Sequence, residues 1–312
     1  MRSARDLYRL GVTLALAAAI AVSAAAGVAI AHVDLAPGPV GRLVSYCRQF
    51  LLPQLMPGDL VVLGLGALGS IVVIRALRSV ARQLHGYRRF LRALEVVGEH
   101  DFGTTRVLLV DGAQPQAFCA GLVRPRIYLT LAARELLPGA QLAAVIAHEA
   151  HHQSRRDPLR ILLLTVLGDA LIFLPVLRRL TRRYEELAEI AADEAAVSAA
   201  GDPSQLAAAL LRFGERGTPG VVGIAAERVD HLLGARPRWE LPGTRIAAAF
   251  LSVSGVLAAV WLLGHSTGAA RTNLVALATQ SCMVGMVALP IVALAALTVV
   301  GRRTFGARPR QS

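Results

Sequence analysis

Lysine is absent: every one of the 33 basic residues in this 312-residue chain is an arginine. That excludes a Walker-type phosphate loop, a Schiff-base enzyme and any acyl-enzyme built on Ser-x-x-Lys. Charge is scarce too, at 17% of residues, and 54% are hydrophobic; soluble domains carry about 25% charged residues, so a membrane protein is the first class to consider. Aromatics make up only 5%, too few to serve as stacking platforms for nucleic-acid bases. A formal net charge of +12 remains to be explained. Position explains it: the arginines gather beside apolar runs (Arg2, Arg5, Arg9; Arg75 to Arg92; Arg302, Arg303, Arg308, Arg310), as juxtamembrane anchors do. Nucleic acid is therefore not an expected partner. The three cysteines, Cys47, Cys119 and Cys282, are far apart and lack metal-ligand spacing, so they read as small apolar residues outside any disulfide framework.

Residues 10–32 are almost uninterruptedly apolar behind a basic head, long enough to cross ~30 Å of hydrocarbon. A signal peptide would have an apolar region of about 7 to 15 residues, so a retained anchor is expected. Residues 33–58 hold four prolines and read as a loop. A second span at 60–77 carries Gly64, Gly66 and Gly69, which let a neighbouring helix come close. From about Asp101 to Thr130, short runs rich in branched residues (107–110, 126–130) alternate with turn residues, which predicts a small antiparallel sheet. Helices are expected around the segment at 142–157, at 178–200, at 205–213 and at 225–233. Two further spans follow at 246–263 and 274–300. The positive-inside rule puts both termini in the cytoplasm.

In the stretch LAAVIAHEAHHQSRRD (142–157), His148, Glu149 and His152 spell HExxH. Residues four apart on a helix lie one above the other, so the two imidazoles can close on one metal while Glu149 points at water held there. The apolar run 143–147 leads into the motif, and a charged cluster on a buried helix needs a partner such as a metal. A catalytic zinc takes three protein ligands and leaves one position open. Glu189, flanked by Ala188, Ile190, Ala191 and Ala192, is a carboxylate expected on a buried surface, whereas Glu185 and Glu186 sit among arginines. Glu189 is the better third ligand, and Asp193, one turn on, suits the free N–H of a ligand histidine. His151 breaks the register and reads as a bystander. Arg228 and His231 are candidates for oxyanion stabilisation, and strand 126–130 for binding substrate backbone by strand addition.

HEAHH at 148–152, EIAADEA from 189 and the lead-in AFCAGLVRPRIYLTLAARELLPGAQLAAVIAHE from 117 resemble the membrane zinc metallopeptidases of the BlaR/MecR type. More distantly they resemble HtpX-type and CAAX prenyl proteases, which share HExxH followed by ExxxD. The resemblance covers about 117–200. It implies one Zn2+ per chain on His148, His152 and Glu189, with Glu149 as general base and Asp193 in support. It also implies an endopeptidase with a cytoplasmic active site and a protein substrate. Those sensors also carry an extracytoplasmic penicillin-binding domain with Ser-x-x-Lys. Here the outside loops are short and lysine is absent, so only the protease module carries over.

Both ligand-bearing helices must lie on one side of the membrane, so an even number of crossings separates them. The 17-residue run 161–177 is too short to supply two, and is expected to be a buried or interfacial helix. The fold expected is α+β, mainly α, a multi-pass cell-membrane protein with about four spans and a zincin-like domain. Its parts are an N-terminal membrane domain (1–80), a cytoplasmic peptidase domain (81–245) and a C-terminal transmembrane hairpin with a basic tail (246–312). The competing reading is a non-catalytic membrane regulator with a structural zinc and a cytoplasmic partner-binding domain. A structural zinc, however, has no need of a carboxylate beside its first ligand. No organic cofactor is expected; the partners are a protein substrate and the bilayer.

Overall fold

A computed structural model of the chain describes residues 4–31, 33–34, 57–216, 243–265 and 272–273. In chain order its elements are α1 (Ala4–Ala31), β1 (Val33–Asp34), α2 (Pro57–Arg92), β2 (Val96–Phe102), β3 (Thr105–Val110), β4 (Ala117–Ala120), β5 (Arg126–Thr130), α3 (Leu131–Leu136), α4 (Gly139–Arg155), α5 (Asp157–Ala170), α6 (Val176–Ala200), α7 (Pro203–Arg216), α8 (Gly243–His265) and β6 (Thr272–Asn273). The protein is mainly helical with a small mixed sheet. It divides into two compact units, Met1–Ala21 with Ser70–Gly255, and Val22–Gly69 with Val256–Ser312.

Three of the described helices are long and apolar enough to cross a membrane: Ala4–Ala31, Leu60–Arg92 and Gly243–Leu262. The expected fourth span at 274–300 lies outside the described residues, as do the helix at 225–233, Cys47, Cys282, Arg228 and His231. In the second unit, Ala25 and Ala29 of α1 pack on Val62 and Leu65 of α2. A side chain on Gly69 would come within 3.3 Å of Ala26, so the helices approach where the glycine leaves room.

The first unit holds the sheet, in the order β2-β3-β5-β4. The expected all-antiparallel arrangement is corrected here: β2–β3 and β4–β5 are antiparallel, but β3 and β5 run parallel. The chain leaves β3, forms β4 at the far edge and returns as β5 between them. Burial gives the reason. Val107 to Val110 are all buried, so β3 is covered on both faces, as befits an interior strand with a parallel neighbour. Val107, Leu109, Ile127 and Leu129 share one face and pack against Leu142, Val145 and Ile146 of α4. Thr130 fixes the far end: its Oγ1 accepts from the N–H of Gln116 (2.9 Å) and of Ala133 (3.2 Å) and donates to the Gln114 carbonyl (2.9 Å). Strand β4 is thereby tied to the start of α3. At the β4–β5 turn Gly121 has φ +127°, and a Cβ there would collide with the Arg124 carbonyl.

The single apolar helix expected at 161–177 is two helices. α5 stops at Ala170, the chain turns, and α6 starts at Val176 behind Pro175. Leu171, Leu174, Val176 and Leu177 are buried. Asp169 beside this turn is held by Ser79 Oγ (2.7 Å), Arg82 (3.1 Å) and Arg178 (3.5 Å), while Arg75 Nε donates to its carbonyl (2.8 Å).

Arg156, between α4 and α5, is the one described non-glycine residue with positive φ (φ 54°, ψ 42°). Its N–H closes α4 onto the carbonyls of His152 and Gln153, and Pro158 then opens α5. A left-handed residue costs roughly 1–2 kcal/mol for a side chain with Cβ, against about 0.5–1 kcal/mol of chain entropy for glycine. Arg156→Gly should therefore leave stability unchanged or raise it by up to about 1 kcal/mol, read as the thermal midpoint in detergent; Arg156→Val should lower it.

Candidate active site

Helix α4 buries Leu142, Val145 and Ile146 against the sheet, and His148, Glu149 and His152 are buried farther along it. Its Ala144 packs with Ala196 of α6 and Leu206 of α7. On α6, Ala188, Ala192 and Ala196 are buried, and such short side chains let two helix backbones come close. That brings Glu189 to the histidines.

His148 Nε2 and His152 Nε2 are 3.2 Å apart. The Glu189 oxygens lie 3.5 Å from each of them. One ligand atom from each of the three residues falls within 4.8 Å of the others. The far ring nitrogens are engaged by carboxylates, His148 Nδ1 at 3.0 Å from Asp193 and His152 Nδ1 at 2.9 Å from Asp157. Two imidazoles with Nδ1 held and Nε2 turned to one point, plus a carboxylate, form the donor set that suits zinc with a position left open.

Asp157 was not singled out from the sequence as a site residue. Its second oxygen accepts from Tyr184 OH at 2.6 Å, and Arg160 stands 4.0 Å away. Burial alone would raise its pKa, but the bonds from His152 and Tyr184 outweigh it and hold the carboxyl below its usual value. The left-handed turn at Arg156 is what folds Asp157 back onto His152. Removing the carboxylate partner of a ligand histidine costs about 10- to 100-fold in metal affinity, so if the three residues hold a metal, Asp157→Asn should weaken its binding by that factor. Competition with a chromophoric chelator measures it.

Burial pushes the His148 imidazole down, but bonds to Asp193 and Glu189 and the nearby Glu149 charge more than reverse this, to about 9. Glu149 is buried, which raises its pKa against the opposing pull of His148 and His152, and its carboxylate accepts the backbone N–H of Cys119. Glu189 departs from expectation. Its side chain is 41% exposed, while Asp193 is 1% exposed; the buried carboxylate of this helix is the supporting one, and Glu189 faces the open cleft. His151 turns away from the cluster into a separate cavity.

The cleft has a volume of about 830 Å³ and is bounded by β4, by Gly86, Tyr87 and Phe90 of α2, and by Ile161 and Leu162 of α5. Phe90 packs on Phe118 of β4 (5.3 Å), which stacks on Tyr128. The expectation that 126–130 receives a substrate strand is corrected: β5 is paired on both sides, and β4 is the edge beside the cleft. Cys119 on this edge has its thiol pushed up to about 12 by burial and by the Glu149 and Asp157 charges. From an ordinary value of 9, that leaves the thiolate scarcer by on the order of a thousandfold at neutral pH. In a Cys47→Ser/Cys282→Ser chain, alkylation by iodoacetamide at pH 7.5 should be slower than for an unfolded control by that order.

A family model described as BlaR1 peptidase M56 matches residues 60–218, just over half of the chain. This stretch takes in most of α2, the whole four-stranded sheet and α3 to α7. No curated protein matches the chain.

Proposed function

The chain belongs to the BlaR1 peptidase M56 family of membrane metallopeptidases, and on that footing we propose that it is a zinc-dependent endopeptidase of the HExxH…ExxxD type. It hydrolyses peptide bonds of a protein substrate at the cytoplasmic face of the cell membrane. The observation that carries this is the convergence of His148 Nε2, His152 Nε2 and the Glu189 carboxylate beside the buried Glu149, on a cleft with an edge strand for one wall. His148, His152 and Glu189 would hold zinc, which supplies Lewis acidity to activate water and polarise the scissile carbonyl. Asp193 and Asp157 keep both ligand imidazoles oriented through Nδ1. Glu149 takes the proton of the attacking water on its carboxylate and hands it to the leaving amine. The peptide lies along β4, bonded through its backbone.

The arrangement in the membrane is part of the same proposal: four spans, both termini and the site in the cytoplasm, and a zincin-like domain at 81–245 between the membrane segments. The full chain in proteoliposomes should cleave an unfolded casein-type substrate, lose that activity to 1,10-phenanthroline and regain it with added zinc. Cleavage that persists in the metal-stripped chain refutes the reading.

A further inference from the structure

His151 opens onto a second cavity of about 420 Å³, lined by Arg5, Asp6 and Arg9 of α1, by Arg155 of α4, and by Asp157 and Tyr184. We propose that it binds the phosphodiester headgroup of an anionic phospholipid, clasped between Arg5 and Arg9 on one side and His151 and Arg155 on the other. Among the described residues, none of the three guanidinium groups stands in an ion pair, whereas Asp157 is already engaged by His152 and Tyr184, and Asp6 has an interaction of its own. Three arginines with no ion pair among the described residues and an imidazole N–H, all lining one cavity, suit a phosphate ester, whose oxygens accept several charge-assisted hydrogen bonds at once.

The position on α1 says which phosphate. Arg5 and Arg9 are four apart and share a helix face. The apolar run starts at Leu10, directly after Arg9. A helix that enters hydrocarbon at Leu10 carries Arg9 and Arg5 in the headgroup layer, where basic pockets between helices take anionic lipid headgroups. Tyr8 between them packs on Tyr184 (ring centroids 5.7 Å apart) and lies under the Arg160 guanidinium, so this turn of α1 is docked on the peptidase helices. Asp157 lines this cavity as well as the catalytic cleft. The lipid headgroup therefore sits against the back of the His152 support.

The inference rests on the chain lying in a bilayer and not on its being a peptidase, and its test reads no proteolysis. The full chain is reconstituted in nanodiscs of phosphatidylcholine with a minor share of phosphatidylglycerol, released, and weighed by native mass spectrometry. Phosphatidylglycerol should be retained in preference to phosphatidylcholine. Arg155→Gln, which leaves the charges flanking α1 in place, should lower that retention about fivefold, the worth of one arginine at an anionic surface. Arg155→Lys should restore part of it, and Arg134→Gln, exposed on α3, should change nothing. If Arg155→Gln loses its fold by circular dichroism, Arg9→Gln carries the same expectation. Retention equal in the variant and the parent, equal loss with Arg134→Gln, or displacement of the lipid by millimolar inorganic phosphate would each overturn the proposal; the last outcome would mark a site for free phosphate.

Discussion

Glu149→Gln should abolish proteolysis and leave one zinc ion per chain. Glutamine keeps the size of the side chain and can still accept the Cys119 N–H through its amide oxygen, so α4 and the metal ligands have no reason to move. What it cannot do is accept a proton. General-base transfer contributes about 10²- to 10⁴-fold, so kcat/KM should fall by on the order of a thousandfold, about 4 kcal/mol of transition-state stabilisation. Zinc content by mass spectrometry and cleavage of a quenched peptide make the two measurements. Equal cleavage by the variant would sink the catalytic reading and favour a regulator with a structural metal. The same variant, bound to substrate it cannot cut, is the means to recover the natural protein target.

Glu189→Ala should weaken the hold on the metal itself. Structural zinc sites gain roughly 10–16 kcal/mol from four ligands, so one ligand is worth about 3 kcal/mol, and zinc affinity should fall on the order of a hundredfold or more. Because Glu189 is partly exposed and the buried Asp193 keeps its contact with His148, the fold should survive. Glu185→Ala, one turn earlier on α6, is the control and should retain zinc. Activity lost together with zinc in Glu189→Ala, but lost alone in Glu149→Gln, would separate metal binding from proton transfer. Zinc retained at parental affinity by Glu189→Ala would remove Glu189 from the ligand set.

Much of this was legible in the sequence because helices write their contacts locally. The HExxH spacing puts His148, Glu149 and His152 near one another by geometry alone, and Gly201 marks the end of α6 where its left-handed cap is found (φ 73°). Pairing α6 with α4 needed a chemical argument about which carboxylate would meet a cation. That argument chose Glu189, although for its burial, and the buried carboxylate proved to be Asp193. The sheet was harder. β3 and β5 are branched and apolar, but β2 has no buried residue and only Gly98 and Phe102 partly covered, and β4 has only four residues, so neither leaves an alternating pattern to read. Without β4 the parallel pairing of β3 with β5 could not be inferred. Asp157 was hidden by a different cause. In RRDP it reads as part of the close of the HExxH helix, and only the left-handed Arg156, which no periodicity announces, turns it back to His152.

A substrate that adds to the edge strand beside the cleft, as proposed, must meet a condition before it can be cut. Strand addition reads main-chain hydrogen bonds, so it discriminates less by sequence than by conformational state: several residues around the scissile bond must already be extended and free of their own partners. A scissile segment within a helix or a paired strand has to open first, and when opening and closing are fast, the cleavage rate scales with the population of the open form. Each ~1.4 kcal/mol by which a partner stabilises that segment should slow its cleavage tenfold. Such an enzyme would report the local folding equilibrium of its target, and whatever ligand loosens or tightens that target would govern its turnover without ever touching the peptidase.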